Sequence, residues 1–265
     1  MTNHQTADAA LETLFLPFDS GRLAWPQGEA LFLRARAGAP LLHRPLSGLV
    51  CEQSFKPDAD ALVRLGCNVR DAAAAEGRTF PLVLMLPPRQ RDEARALMAR
   101  AIEATQPGGR VVAAASNNEG ARSSEADLAR LVGPVTSMTK NKCRVFWSEP
   151  LHGAIDTSPT AQWRALDAVR PIGDGRFLSR PGVFAWDRID VASALLAEHL
   201  PADLRGRAAD LGAGFGYLGA ELLMRSPGIV ALDLYEAEAR ARSSLPATIC
   251  RRSSLARRSH TIGTT

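Results

Sequence analysis

The sequence has few of the features that mark membrane proteins, disulfide-stabilised proteins or metal sites. Among its 265 residues, no run approaches the roughly 18 uncharged apolar residues that cross a bilayer, and residues 1–10 lack the pattern of a secretion signal. The five histidines are scattered, and no Cys-x-x-Cys pair occurs among Cys51, Cys67, Cys143 and Cys250. We therefore expect a cytoplasmic protein with reduced thiols, without a metal and without a membrane partner.

Acidic residues are missing from the last part of the chain, and this changes the interpretation of the net charge. The whole chain carries +4, but residues 241–265 contain five arginines and no Asp or Glu, so that the rest of the chain carries −1. A strongly basic domain often binds nucleic acid. Here the basic character belongs to the tail, and it does not predict a basic folded body.

The most informative stretch is 208–217, which reads Ala-Ala-Asp-Leu-Gly-Ala-Gly-Phe-Gly-Tyr. An apolar run over 206–211 predicts a strand, and the pattern over 217–224 predicts a helix. The turn between them contains three alternating glycines, Gly212, Gly214 and Gly216. Because glycine tolerates positive φ and a helix start offers free N–H groups, the turn is suited to a nucleotide-like cofactor.

The spacing of these glycines distinguishes between two classes of cofactor. The dinucleotide fingerprint needs a glycine at its sixth position, where this chain has Tyr217, so the spacing does not fit NAD. Asp210, two residues before the first glycine, and the Gly-x-Gly-x-Gly that follows resemble the first motif of class I S-adenosylmethionine (SAM)-dependent methyltransferases. The alternative is that the turn is only a tight connection between a strand and a helix.

A second strand is predicted over 228–234, where the residues are apolar and β-branched. In nucleotide-binding βαβ units, an acid at the end of the second strand accepts hydrogen bonds from ribose hydroxyls. Glu236 has the spacing for this role, and Asp233 is the alternative because strand ends are uncertain by a few residues.

The first 148 residues alternate between strand and helix patterns. Apolar residues at helical spacing predict a helix over 91–104, and a strongly apolar run predicts a strand over 80–86. Further strands are predicted at 30–35, 48–52, 110–115 and 143–147, and further helices at 58–65 and 125–131. The alternation predicts an α/β domain with a mainly parallel, doubly wound sheet.

Pro87-Pro88, directly after the strand that ends at Leu86, is the only Pro-Pro pair in the chain. Class I methyltransferases that modify ring or exocyclic nitrogens carry Asn/Asp-Pro-Pro-aromatic at the end of the fourth strand. Here Leu86 replaces the Asn or Asp and Arg89 replaces the aromatic residue. We interpret the first half as a decayed copy of that fold, which supports the second half or docks substrate; the alternative is a proline at a helix start.

A more specific resemblance comes from the segment 184–196 together with the Asp210 turn. They resemble the ribosomal RNA guanine-N2 methyltransferases of the small and large subunits, whose chains pair a degenerate N-terminal methyltransferase domain with an active C-terminal one. The similarity covers roughly residues 30–241. In the first half it includes Leu86-Pro-Pro-Arg, Pro107-Gly-Gly-Arg, Asn118-Glu-Gly-Ala-Arg-Ser and Lys142-Cys-Arg-Val-Phe.

This resemblance implies an α/β fold of duplicated class I methyltransferase (Rossmann-like) domains, of which the second is incomplete. The expected domains are a degenerate methyltransferase-like domain over 1–148, a linker over 149–175, and the start of a SAM-binding domain over 176–241. Residues 242–265 are interpreted as an aberrant or disordered basic tail that replaces the rest of the domain. The competing view is a genuine basic tail that binds RNA.

The resemblance also implies the cofactor, the partner and the site. SAM is the expected cofactor, and ribosomal RNA or a ribosomal subunit is the expected partner. The residues expected to hold SAM are Phe184, Asp187, Asp210, Gly212, Gly214, Gly216 and Glu236. Asp190 is either a further neighbour of the cofactor or only a helix cap.

In such enzymes an Asn side chain, a proline-linked carbonyl and an aromatic ring hold the guanine amine and base. After Leu234 this chain has no Asn-Pro-Pro-aromatic motif, so no catalytic residue is assigned and its own activity is expected to be weak or absent. Two other functions stay open. The chain could be a noncatalytic protein that binds RNA or the ribosome, or a SAM-dependent methyltransferase that acts on small molecules.

Overall fold

The chain divides into two compact units, which are described separately. The first unit is Met1–Ser54 with Asp58–Leu166, and the second is Phe55–Pro57 with Asp167–Thr265. The computed structural model describes residues 8–43, 48–70, 76–152 and 157–244, so the predicted basic tail from residue 245 onward lies outside the described residues. No helix in these four ranges is long and apolar enough to cross a membrane.

The first unit alternates between helices and strands, as predicted. In chain order its elements are α1 (Ala9–Asp19), β1 (Ala30–Leu33), α2 (Ala39–Leu42), β2 (Leu49–Glu52), α3 (Lys56–Arg64), β3 (Asn68–Arg70), β4 (Phe80–Met85), α4 (Arg91–Glu103), β5 (Thr105–Ser116), α5 (Ala121–Val132), β6 (Val135–Lys140), β7 (Cys143–Ser148) and α6 (Thr157–Arg164).

The strands of the first unit form one seven-stranded sheet in the order β3-β2-β1-β4-β5-β7-β6. Neighbours are parallel except for β7, which is antiparallel to both β5 and β6. The central strands are apolar along their length because helices cover both faces of a parallel sheet. The predicted α/β fold class with a mainly parallel sheet is therefore confirmed.

Two apolar layers, one on each face of this sheet, form its core. On one face Leu14 and Phe15 of α1 are fully buried with Phe32 of β1. On the other face Met98 and Ile102 of α4 pack with side chains from the opposite sides of the same strands. Alternate residues of a strand point to opposite faces, so a continuous apolar run supplies both layers.

Three features of the first unit differ from the sequence prediction. Helix α1 was not predicted; Asp8 caps it by accepting the amide hydrogens of Ala10 and Leu11, although Pro17 lies inside it. Strands β3 and β6 were also not predicted. Strand β5 begins at Thr105 rather than at residue 110, because its register against β4 shifts and accommodates the Pro-Gly-Gly as an irregularity.

The second unit contains two small sheets and two α-helices in its described part. Its elements are β8 (Arg170–Ile172), β9 (Phe177–Ser179), α7 (Val191–Glu198), β10 (Arg205–Leu211), α8 (Tyr217–Arg225) and β11 (Gly228–Tyr235). Strands β8 and β9 form an antiparallel hairpin, whereas β10 and β11 are parallel and joined by α8. The predicted strand, glycine turn, helix and second strand thus form one βαβ unit.

Candidate functional site

The turn between β10 and α8 presents bare backbone to an open cleft. Gly212, Gly214 and Gly216 all have positive φ, at +83°, +53° and +87°. A Cβ atom built on Gly212 or Gly214 would meet nothing within 4 Å, so the space beside both residues is open. Any other residue at these positions would be strained and would fill that space.

The cleft lies at the carboxyl end of β10. Its wall comes from three consecutive parts of the second unit: the segment before α7, the end of β10, and the glycine turn with the start of α8. The lining residues are Phe184, Ala185, Asp190, Ser193, Asp210, Gly212, Ala213, Gly214, Phe215, Tyr217 and Leu218.

Asp210 lies at the bottom of this cleft and is held from the helix side. Its Oδ2 accepts a hydrogen bond from the Gly219 amide at 3.1 Å. Burial raises the pKa of Asp210, the Gly219 amide opposes that rise, and the negative charge of Glu236 adds to it. The helix is closely packed here, because a Cβ atom on Gly219 would lie 3.0 Å from the Leu232 side chain.

Glu236 reaches the glycine turn from the end of β11, as predicted from its spacing. Its Oε2 accepts the Gly214 amide hydrogen at 2.7 Å, and its Oε1 accepts that of Glu238 at 2.8 Å. The alternative acid, Asp233, instead pairs with Arg207 on the neighbouring strand, with 2.9 Å between Oδ2 and Nη2. The structure therefore places Glu236, and not Asp233, at the turn.

The segment before α7 brings only some of its predicted residues to the cleft. Phe184 lines it with a ring that is 72% exposed. Asp190 caps α7 by accepting the Ser193 amide hydrogen at 2.9 Å, which lowers its pKa, and it also lines the cleft. Asp187 forms an exposed pair with Arg188 and does not line the cleft.

Two aromatic residues of the cleft, Phe215 and Tyr217, were not predicted as site residues. Both rings lie edge-on to Phe177 of β9, with centroids 5.7 and 5.5 Å away. They belong to the glycine motif itself, so their position in sequence was the available signal. Ala213 and Leu218, which also line the cleft, were not predicted either.

An ion-pair cluster fixes the chain that leads to Phe184. Asp167 accepts hydrogen bonds from both Arg180 and Arg240. Arg240 also donates to the carbonyl of Pro181 at 2.9 Å, and it lies just beyond Glu236 in sequence. The cluster thereby ties the segment after β11 to the segment after β9, and both contribute residues to the site.

Replacing Arg240 by glutamine is expected to destabilise the second unit by about 1–3 kcal/mol, because bonds from a charged donor to Asp167 and Pro181 are lost. Amide hydrogen exchange over residues 177–186 should accelerate. The matched control is Arg188→Gln, which removes an exposed pair of little energetic weight. Equal exchange in Arg240→Gln and the wild type would contradict the role of the cluster.

Comparisons with known proteins agree with this geometry. The family model described as methyltransferase small domain matches residues 174–257. Ribosomal RNA small subunit methyltransferase C of Vibrio vulnificus is 30% identical over 174 residues, which are 63% of this chain and 49% of that protein. This alignment is longer than the second unit and therefore extends into the first. The chain is similar to these ribosomal RNA methyltransferases in both of its units.

Two other similar proteins give a consistent picture. Ribosomal RNA large subunit methyltransferase G of Streptomyces avermitilis is 31% identical over 125 residues, which are 44% of this chain and 33% of that protein. A 16S rRNA N2 methyltransferase from T. thermophilus has the same fold, with a TM-score of 0.70 at 21% identity over 92% of this chain and 66% of that one. This chain spans about half the length of the curated relatives it matches first.

Proposed function

We propose that this chain binds SAM in the cleft of its second unit and is of the type that methylates the exocyclic N2 amine of a guanine in ribosomal RNA, with weak or no transfer by this chain alone. The observation that carries the proposal is the open glycine turn with Asp210 below it and Glu236 beside it. The names of the relatives support the substrate class, and the T. thermophilus enzyme was solved in complex with AdoMet and guanosine.

The residues of the cleft fit this cofactor. The sulfonium and amino groups of SAM are cationic, and the turn offers the carboxylates of Asp210 and Glu236. The open space beside Gly212 and Gly214 admits a ligand against the backbone. The first N–H groups of the nine-residue helix α8 suit the carboxylate of the cofactor. When bound, SAM supplies a methyl group on a positively charged sulfur.

Each of these residues has a proposed role. Asp210 accepts hydrogen bonds from the amino group of the cofactor, and Phe184 covers the cleft from the solvent side. Glu236 accepts hydrogen bonds from the ribose hydroxyls. Its two oxygens each accept one amide hydrogen already, but a carboxylate has about four lone-pair positions and can accept more. Gly216 starts α8, and Asp187 stays a predicted neighbour that needs its own test.

Methyl transfer to an amine requires that donor and acceptor be aligned, and the rigid turn provides this on the cofactor side. The acceptor side is not assigned to any residue, because the one Pro-Pro pair, Pro87-Pro88, is flanked by Leu86 and Arg89.

We propose residues 1–148 as the degenerate domain, 149–175 as the linker and 176–241 as the SAM-binding part. Ribosomal RNA or a ribosomal subunit is the proposed partner, in the cytoplasm.

Calorimetric titration of the full chain with S-adenosylhomocysteine tests this proposal. We expect saturable binding with one site per chain, because the open glycine turn of the described residues lies in the second unit. A well-folded sample that binds none would overturn the proposal. Radiolabelled SAM with unmodified small-subunit ribosomal RNA then measures transfer; cofactor binding with transfer only to small molecules would contradict the proposed substrate.

A further inference from the structure

The first unit contains a turn that corresponds, residue by residue, to the glycine turn of the second. Leu33, the last residue of β1, pairs with Glu52 of β2, just as Leu211 pairs with Tyr235. In each unit, the residue two positions after the end of the first strand donates its amide hydrogen back to the second strand. Ala35 donates to the carbonyl of Glu52, and Ala213 donates to the carbonyl of Tyr235, at 3.0 Å in both cases.

This register makes four positions equivalent, and each has changed its chemistry. Arg34 corresponds to Gly212 and keeps a positive φ of +53°. The other three correspondences are Phe32 with Asp210, Arg36 with Gly214, and Gln53 with Glu236. At these four positions the second unit has two carboxylates and two glycines, with a formal charge of −2. The first unit has an apolar ring, a side-chain amide and two guanidinium groups, with a formal charge of +2.

The turn of the first unit is therefore unsuited to a cationic cofactor. Arg34 and Arg36 carry side chains and positive charge where the second unit has open space. The amide of Gln53 donates to the carbonyl of Ala35 at 2.7 Å, whereas Glu236 accepts from its own turn. A site with this charge selects an anion instead.

Two nearby carboxylates, Asp8 and Asp58, partly offset the charge of the two arginines. Arg36 pairs with Asp8 at 2.9 Å. Asp58 also faces this turn; burial raises its pKa, and the charges of Arg36 and Arg34 oppose that rise. Arg34 itself is exposed, and among the described residues its one recorded bond is to the carbonyl of Leu86 at 3.5 Å.

A second exposed arginine lies where β4 ends. Arg89 follows the buried pair Pro87-Pro88 and has no recorded partner within the described ranges. Strands β1 and β4 are neighbours at the point where the strand order reverses, and their carboxyl ends face the crevice in which open α/β sheets bind ligands. The Leu86 carbonyl links the Arg34 side chain to the same loop.

We propose that Arg34 and Arg89 form a binding site for backbone phosphates of RNA at the carboxyl edge of the first sheet. The site deepens the proposed function, because it gives the first unit a defined part in holding the RNA substrate. Guanidinium groups form charge-assisted, often bidentate bonds with phosphate oxygens, which suits this role. Arg36 stays paired with Asp8 and supports the turn.

The test is fluorescence anisotropy of a short fluorescein-labelled single-stranded RNA, titrated with the full chain at several salt concentrations. The variant is Arg34→Gln/Arg89→Gln, in which glutamine keeps side-chain bulk and removes charge. We expect affinity at low salt to fall about tenfold or more. The slope of log affinity against log salt should become shallower by about 0.7 for each arginine, the value for a single strand.

The matched control is Arg22→Gln, an exposed arginine between α1 and β1, before the opposite end of the strand. It should bind RNA as the wild type does. The arginine-rich residues 245–265 are identical in all variants, so any RNA binding by them is the same in each measurement. Circular dichroism and thermal unfolding of each variant report folding, and S-adenosylhomocysteine titration tests the proposed function separately. A folded double variant with wild-type RNA affinity and salt slope overturns the phosphate site, whatever the cofactor result.

Discussion

Replacing Asp210 by asparagine is expected to weaken S-adenosylhomocysteine binding by about 10- to 150-fold, the equivalent of about 1.5–3 kcal/mol for a hydrogen bond to a charged group. The asparagine oxygen can still accept the Gly219 amide hydrogen, so the shape of the turn is kept. Only the negative charge offered to the amino group of the ligand is lost. Calorimetry on the variant and the wild type measures the difference.

The same variant is expected to be at least as stable as the wild type without ligand. The raised pKa of Asp210 means that the folded state favours the protonated carboxyl. The protonated Asp210 side chain stabilises the fold below about pH 3.9, the pKa of an aspartate in the unfolded chain. This stabilisation is lost as the pH rises through the higher pKa of Asp210 in the folded state. At neutral pH the carboxylate is therefore a destabilising group, and thermal unfolding should show the advantage of Asp210→Asn growing from acid to neutral pH.

Asp203→Asn provides the control for both measurements. Asp203 is exposed in the same unit and does not line the cleft, so its variant should match the wild type in affinity and in melting temperature. Loss of stability in Asp210→Asn with unchanged affinity would reverse the interpretation, because Asp210 would then be a structural residue only.

Local patterns were sufficient to predict the elements that dominate the fold. The apolar run of β4 and the periodic helix α4 are buried, so their hydrophobic pattern follows directly from their surroundings. The glycine turn was predictable because positive φ at three alternating positions strongly favours glycine. The α/β fold and the similarity to methyltransferases followed from these motifs, and both are confirmed.

Contacts between distant residues were not predictable in this way. The sequence favoured Glu236 and left Asp233 as the alternative, and the contacts at the end of β11 show that Glu236 reaches Gly214. Likewise Asp187 and Asp190 were both candidate neighbours of the cofactor, but of the two only Asp190, the cap of α7, lines the cleft. The positive φ of Arg34 had no signal, because arginine rarely adopts that conformation.

Replacing Gly212 by arginine is expected to abolish measurable S-adenosylhomocysteine binding, a loss of more than about 100-fold or about 2.7 kcal/mol. The substitution gives the second unit the residue that the first unit has at the equivalent position. Arg34 shows that arginine can adopt this backbone conformation, so the expected loss of stability is only about 1–2 kcal/mol. The new side chain would occupy the open space beside the turn and bring positive charge to it.

The control for Gly212→Arg must carry the same backbone strain outside the cleft. Gly175, in the turn between β8 and β9, has φ of +82°, is exposed, and has nothing within 4 Å of an added Cβ. Gly175→Arg should therefore lose similar stability and keep wild-type affinity. If Gly212→Arg also bound the ligand normally, the cofactor would not lie against this turn, and the charge reversal between the two units would need a different explanation.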